Sequence, residues 1–92
     1  MKHIKIESRK LFTLEFAEYN PRTISKKQFK DLKKSITEFG IVAPIVVNIN
    51  KDRENVIVGG HQRVRALQDL GHESVLCALV DLPLQEEMKL NL

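Results

Sequence analysis

Apolar residues between positions 25 and 39 recur every three or four residues, which is the spacing of one face of a helix. The positions concerned are Phe29, Leu32, Ile36 and Phe39. Ser25, followed three residues later by Gln28, forms a capping-box pattern, and Gly40 is well placed to end the helix. We therefore predict a helix over residues 25–39.

Shorter apolar runs bounded by turn residues predict strands. Residues 2–7 alternate polar and apolar, with Ile4 and Ile6 on one side, which is typical of a half-buried strand. Two runs rich in β-branched residues, over 45–49 and 55–58, are separated by a polar turn. This pair predicts a hairpin.

The rest of the chain predicts one more strand, over residues 74–82, and two more helices. Residues 62–70 form a helical pattern with Val64, Leu67 and Leu70 inward, and residues 84–92 begin another with Leu84, Met88 and Leu92 at helical spacing. We expect an α+β (mixed α/β) fold in one small domain, with a short mixed sheet and about three helices. Residues 1–92 are expected to be truncated at the C-terminal end, because so short a last helix is marginal alone.

Composition and charge narrow the class of protein. The 92 residues are 42% hydrophobic and 29% charged, as in one small globular domain rather than a disordered chain. The net charge of +3 favours anionic partners only mildly. Cys77 is the only cysteine, and no apolar run approaches the roughly 20 residues that a membrane helix needs. We predict a cytoplasmic protein with no membrane partner.

A double glycine between a predicted strand and a predicted helix is the strongest chemical signal. Gly59 and Gly60 are followed directly by His61, Gln62 and Arg63. The unpaired N–H groups and the dipole at a helix start favour an anion, usually a phosphate. The side chains that follow are of the kinds that hold phosphate oxygens. The corner predicts a binding site for a nucleotide or a nucleic-acid backbone.

Several of these residues also have simpler interpretations. The glycines could only allow close helix packing, and Arg63 and Arg65 could be solvated rather than ligands. His61 could cap the helix, contact phosphate or act as a general base, and the last role would make it a catalytic residue. No metal site is predicted, because the histidines lack ligand spacing. The lysines of the first helix are either a solvated face or contacts to nucleic-acid phosphate; they include Lys26, Lys30, Lys33 and Lys34.

Four motifs in order along the chain resemble the ParB/sulfiredoxin-like superfamily. They are Asn20-Pro21-Arg22, Ser35-Ile36, the run from Gly40 to Val47 and the run from Gly60 to Ala66. The resemblance implies a compact α/β domain whose strand–glycine–helix corner binds phosphates, and it adds Asn20 and Arg22 to the candidate site. In partition ParB proteins a Gly-Glu-Arg-Arg motif holds the triphosphate of CTP. Gly60 and Arg63 match the first and last positions of that motif.

Within that superfamily, the chain resembles the ParB-like domain at the front of phage and prophage DNA-modification methylases. The Gly-Gly-His-Gln-Arg run and the ending from Glu86 to Leu92 carry this likeness. It implies a nucleotide- and phosphate-binding module in a DNA context, whether DNA binding, partition or modification. A nucleoside triphosphate with Mg²⁺ would be the cofactor, and a homodimer or a larger protein would form through missing C-terminal sequence. Methyl transfer would lie outside this chain.

Two other functions stay open. The superfamily also includes metal-dependent nucleases, nucleotide-hydrolysing clamps and small-molecule kinases, which need acidic groups. The acidic candidates, none of them inside the glycine motif, are Asp52, Glu54, Asp69, Glu73 and Asp81. The other alternative is a protein-interaction module without a ligand. Sulfinic-acid reductase activity is not expected, because His61 stands where sulfiredoxins have their reactive cysteine.

Overall fold

A computed structural model describes residues 4–19 and 23–91. Its strands are β1 (Lys5–Lys10), β2 (Ile45–Asn48), β3 (Ile57–Gly59) and β4 (Ser74–Val80). Its helices are α1 (Lys26–Phe39), α2 (His61–Asp69) and α3 (Leu84–Leu90), with a 3₁₀ turn over Leu11–Thr13. The sheet order is β1-β4-β2-β3, with β2 parallel to β4 and the other two pairs antiparallel. The predicted α+β fold and the β2–β3 hairpin are confirmed.

One face of the sheet forms the core together with α1 and α2. The sheet contributes Ile45, Val47, Ile57, Val75, Cys77 and Leu79, and the helices contribute Ile36, Val64, Ala66 and Leu67. The Cys77 thiol is free and is buried in this cluster. Within the described ranges no helix is both long and apolar enough to cross a membrane. The core therefore holds α2, and with it the glycine corner, against the sheet.

The start of α1 has the predicted capping box. Ser25 Oγ accepts from the Gln28 N–H at 3.1 Å, and Gln28 Oε1 accepts from the Ser25 N–H at 2.9 Å. The helix ends at Gly40, whose φ of +77° lies in the region that favours glycine. Phe39 was predicted to face inward but is exposed, because the last buried residue of α1 is Ile36, nearly one turn earlier.

Strand β1 differs from the prediction in both its bounds and its buried face. It covers Lys5–Lys10, and Ile4 and Ile6 are exposed. Residues directly opposite in an antiparallel pair share a face, and Glu7 is opposite the buried Cys77. The core face of β1 therefore carries polar residues, while Ile6 points to the other face of the sheet.

Helix α3 likewise buries a different residue from those predicted. Leu84 and Met88 are 40% and 49% exposed, whereas Glu87 is fully buried. Leu92, the third predicted inward position, lies outside the described residues. Leu70, the C-cap residue directly after α2, is also exposed rather than inward. Helical spacing identified residues that share a side, but in α3 a hydrogen-bonded carboxylate occupies the interior.

Candidate functional site

The predicted strand–glycine–helix corner is present, and Gly60 forms its turning point. Strand β3 ends at Gly59, and Gly60 is the N-cap of α2 with φ of +103°, a conformation that glycine adopts at little cost. A Cβ at this position would lie 2.7 Å from Ile45 Cδ1 and 3.0 Å from Arg63 Nη2. Gly60 is therefore favoured by its backbone angle and by the space around it.

The Arg63 guanidinium lies close to Gly60 and is partly buried. Its Nη1 donates to the Ala43 carbonyl oxygen at 2.7 Å, which ties the first turn of α2 to the loop before β2. Burial lowers the pKa of Arg63 from its ordinary value. Among the described residues no carboxylate forms an ion pair with Arg63. Its charge adds to the positive end of the helix dipole and lacks a counter-ion within that part of the chain.

Gln62 and Arg65 face a cleft between the first turns of α1 and α2. The cleft has a volume of about 320 Å³ and is lined by Thr23, Ile24, Ser25, Lys26, Phe29, Gln62 and Arg65. Two of these side chains are cations, and no carboxylate is among them. Because two helix N-termini line the cleft, both helix dipoles add to its positive potential. An anion is the ligand that this arrangement suits.

His61 is buried beside the cleft instead of exposed in it. The Ala17 N–H donates to His61 Nε2 at 3.4 Å, and the ring lies 6.2 Å from that of Phe16. Burial lowers the pKa of His61, and the charge of Arg65 lowers it further. The Arg65 guanidinium lies 4.9 Å from the centre of the Phe16 ring. Of the three roles considered for His61, N-capping is excluded because Gly60 is the N-cap.

The lysines of α1 differ in their surroundings. Lys26 lines the cleft, and Lys30 and Lys34 are exposed. Lys33 instead pairs with Asp69, 2.6 Å from Nζ to Oδ2, and lies 5.2 Å from the centre of the Phe29 ring. Contact of these lysines with nucleic acid stays a prediction.

The predicted site residues Asn20 and Arg22 lie outside the described residues. Their described neighbours are Tyr19 on one side and Thr23, which lines the cleft, on the other.

A second cluster of polar residues was missed by the sequence analysis. Glu87 in α3 accepts hydrogen bonds from Tyr19, Asn48 and Arg53, and Arg53 also donates to Glu18. These residues come from distant parts of the chain, and no periodicity connects them. The sequence offers one indication of this cluster, the glutamate at position 87 in a predicted amphipathic helix. A glutamate there is equally compatible with an exposed position.

The acidic candidates do not form a metal site in the described part of the chain. There, no three His, Cys, Asp or Glu side chains are grouped closely enough to hold a metal ion. Asp69 is paired with Lys33, and Asp81 accepts from Asn50 Nδ2 at 3.1 Å. The hydrogen-bond donors around Gly60 and in the cleft are suited to the phosphates of a nucleotide. A Mg²⁺ ion would bind together with those phosphates.

Comparison with known sequences identifies relatives over most of the chain. The family model of the ParB N-terminal domain matches residues 2–92. The ParB-like nuclease domain-containing protein YnaK of Escherichia coli is 36% identical over 72 residues, which are 78% of each chain. The probable chromosome-partitioning protein ParB of Campylobacter jejuni is 31% identical over 65 residues, 70% of this chain and 23% of that protein. The chain thus spans about a quarter of the length of that partition protein.

Solved structures agree with the family match. ParB of Caulobacter crescentus in complex with CTP-γ-S superposes with a TM-score of 0.84 at 28% identity, covering 95% of this chain and 50% of that one. Sulfiredoxin of Arabidopsis thaliana has a TM-score of 0.75 at 22% identity, covering 94% and 96%, and shares the fold. The resemblance to the ParB/sulfiredoxin-like superfamily is confirmed, and the chain belongs to the ParB N-terminal domain family.

Proposed function

We propose that this domain binds the phosphates of a nucleoside triphosphate at the start of α2 and acts in a DNA context. The observation that carries the proposal is the position of Arg63. Its partly buried guanidinium lies beside Gly60 at a helix N-terminus and has no carboxylate partner among the described residues. A phosphate there would receive the N–H groups of the first turn and offset the charge of Arg63.

Ligand binding would draw the guanidinium away from its present partner. Arg63 Nη1 now donates to the neutral carbonyl oxygen of Ala43. A phosphate oxygen is charged and accepts a stronger hydrogen bond than a carbonyl oxygen does. We expect Arg63 to exchange one acceptor for the other, which would loosen the loop before β2 when nucleotide binds.

The cleft between α1 and α2 would hold the rest of the phosphate chain. Lys26, Gln62 and Arg65 offer two cations and an amide along its walls. A volume of about 320 Å³ lies within the usual range for small-ligand pockets. CTP is the first nucleotide to test, because the superposed ParB of Caulobacter crescentus is in complex with CTP-γ-S.

The proposed DNA context rests on the relatives. They include the partition protein of Campylobacter jejuni and a nucleoid occlusion protein of Oceanobacillus iheyensis. ParB of Caulobacter crescentus has also been solved in complex with the centromeric parS site. The exposed Lys30 and Lys34 are our candidates for contacts to DNA phosphates. The finer proposal is a cytoplasmic, phage-type methylase N-terminal module that dimerises or joins a larger protein.

The test is a titration of the wild-type protein with CTP, ATP, GTP and UTP in the presence of Mg²⁺. Arg63→Ala should weaken binding by about 10- to 100-fold, the scale of one lost charged hydrogen bond. Arg9→Ala is the matched control, because Arg9 lies on β1 at the opposite edge of the sheet and pairs with Glu7. Equal affinities of the wild type and Arg63→Ala would contradict the proposal.

A nuclease is the second candidate, and the similarity to YnaK over most of both chains favours it. Mg²⁺-dependent cleavage of DNA by the wild type, lost when a single carboxylate is replaced, would support this function. The replacements to compare are at Asp52, Glu54, Asp69, Glu73 and Asp81. Absence of both cleavage and nucleotide binding would leave the third function, an interaction module.

A further inference from the structure

The aromatic ring of Phe16 lies against the guanidinium of Arg65, with 4.9 Å from Arg65 Cζ to the ring centre. Arg65 is on α2 and lines the cleft, whereas Phe16 belongs to the segment between the 3₁₀ turn and α1. A cation within about 6 Å of the centre of an aromatic face is attracted by the ring. The fold thus brings an aromatic side chain from a distant segment to one of the two cations of the cleft.

The backbone is anchored on both sides of Phe16. Glu15 forms a parallel bridge with Val56, the residue directly before β3. On the other side, the Ala17 N–H donates to His61 Nε2 at 3.4 Å. Phe16 itself is partly buried and packs against the hydrophobic core. The position of its ring is therefore set by the body of the domain.

Arg65 differs from the other cations that lie near aromatic rings. Arg53 and Lys33 also lie over rings, but each of them forms an ion pair with a carboxylate as well. Within the described ranges Arg65 forms no ion pair. An aromatic ring attracts a cation but carries no net charge, so the contact does not neutralise Arg65. The guanidinium is thus held by Phe16 and can still attract an anion.

We propose that Phe16 is a positioning residue for anion binding in the cleft. Arg65 is exposed, and a long exposed side chain loses rotamer freedom when it binds a ligand, which lowers the affinity. The ring of Phe16 restricts Arg65 to the wall of the cleft before the ligand binds, so less freedom is lost. Phe16 itself touches no phosphate in this proposal. The inference rests on the proposed function, since it concerns the affinity of the same site.

The test is a double-mutant cycle between Phe16→Leu and Arg65→Gln. The measurement is affinity, in the presence of Mg²⁺, for whichever of CTP, ATP, GTP and UTP binds the wild type most tightly. Phe16→Leu removes the aromatic face and keeps an apolar side chain, so the variant should fold. We expect it to weaken binding by about two- to fivefold, the scale of an exposed cation–π contact. In the Arg65→Gln background it should cause no further loss, because no guanidinium remains to be held.

Two further variants separate positioning from stability alone, with urea unfolding measured for each. Phe16→Tyr keeps the aromatic face and should bind nucleotide as the wild type does. Leu14→Val is the matched control, because Leu14 is buried two residues earlier in the same segment and does not line the cleft. It should lose stability without losing affinity.

Three results would overturn the positioning role. The first is unchanged affinity in Phe16→Leu or in Arg65→Gln. The second is a pair of losses from these two substitutions that multiply in the double variant. The third is a loss of affinity in Leu14→Val or Phe16→Tyr as large as that in Phe16→Leu.

The Arg63→Ala measurement distinguishes this inference from the proposed function. A wild type that binds a nucleotide, and loses affinity in Arg63→Ala but not in Phe16→Leu, would sink the positioning role and leave the phosphate site intact. A wild type that binds none of the nucleotides would overturn both.

Discussion

Arg53 donates two hydrogen bonds to the buried carboxylate of Glu87, from Nε to Oε1 at 3.2 Å and from Nη2 to Oε2 at 2.9 Å. The pair joins the β2–β3 turn to α3. Burial alone would raise the pKa of Glu87, but hydrogen bonds from Arg53, Tyr19 and Asn48 outweigh it and hold the pKa below its ordinary value. The pKa of Arg53 is in turn raised by Glu87, so the charge of Arg53 is balanced by a carboxylate. The pKa of Arg63, by contrast, is lowered by burial.

Arg53→Ala should destabilise the domain by about 3–5 kcal/mol, because it leaves the buried carboxylate of Glu87 without its cation. The measurement is urea unfolding at neutral pH. Lys33→Ala is the control, since the Lys33–Asp69 pair is more exposed and should be worth about 1 kcal/mol or less. Equal losses in the two variants would show that the Glu87 pair is no stronger than a surface pair.

The stability of the domain should fall as the pH drops below about 6.5, the ordinary pKa of histidine. Burial lowers the pKa of His61 in the folded state, so the unfolded chain binds the proton more tightly. The contribution is therefore fully present above the unfolded pKa and is lost as the pH falls towards the folded one. Unfolding free energies between pH 7.5 and 5 should show a shallower slope in His61→Gln than in the wild type.

The matched control for that pH profile is His72→Gln, because His72 is exposed. If His61→Gln kept the wild-type slope, the titration of His61 would not be the source of the pH dependence.

Gly60→Ala should destabilise the domain more than Gly71→Ala does. Both glycines have positive φ, +103° and +84°, so each substitution strains the backbone by about 1 kcal/mol or more. Only at Gly60 would the added Cβ also meet Ile45 Cδ1, at 2.7 Å, whereas nothing lies within 4 Å at Gly71. The difference between the two unfolding free energies measures that clash. No difference would mean that Ile45 shifts freely.

Lys26→Ala should weaken nucleotide binding, whereas Lys27→Ala should not. The two residues are adjacent on α1 and both exposed, but only Lys26 lines the cleft. We expect a loss of about two- to fivefold at 0.1 M salt, which shrinks as salt screens the charge. Calorimetric titration at two salt concentrations tests this. Equal effects of the two substitutions would indicate only a general contribution of net charge.

Elements whose signals are local could be predicted from the sequence. The capping box of Ser25 and Gln28 acts within one turn, and the glycine corner at Gly60 needs only the φ of one residue. The β2–β3 hairpin follows from two apolar runs and a short turn. Each of these depends on neighbours within a few positions, so the tertiary environment has little opportunity to override it.

The buried faces of β1 and α3 could not be predicted in the same way. Alternation places Ile4 and Ile6 together but does not say which side of the sheet the helices cover. Pairing of Glu7 with Cys77 decides this, and it joins residues 70 positions apart. In the same way, Glu87 can be buried because Arg53 and Tyr19, which are distant in sequence, donate hydrogen bonds to its carboxylate.

The sequence by itself determined the elements of this domain and the corner that offers main-chain donors to an anion. Only the tertiary structure decided which cationic side chains form an ion pair with a carboxylate. Arg53 and Arg63 look alike along the chain, yet one is neutralised by Glu87 and the other has no such partner among the described residues. Charge compensation depends on distances of a few ångströms between segments far apart in sequence, and those distances are set only when the chain folds.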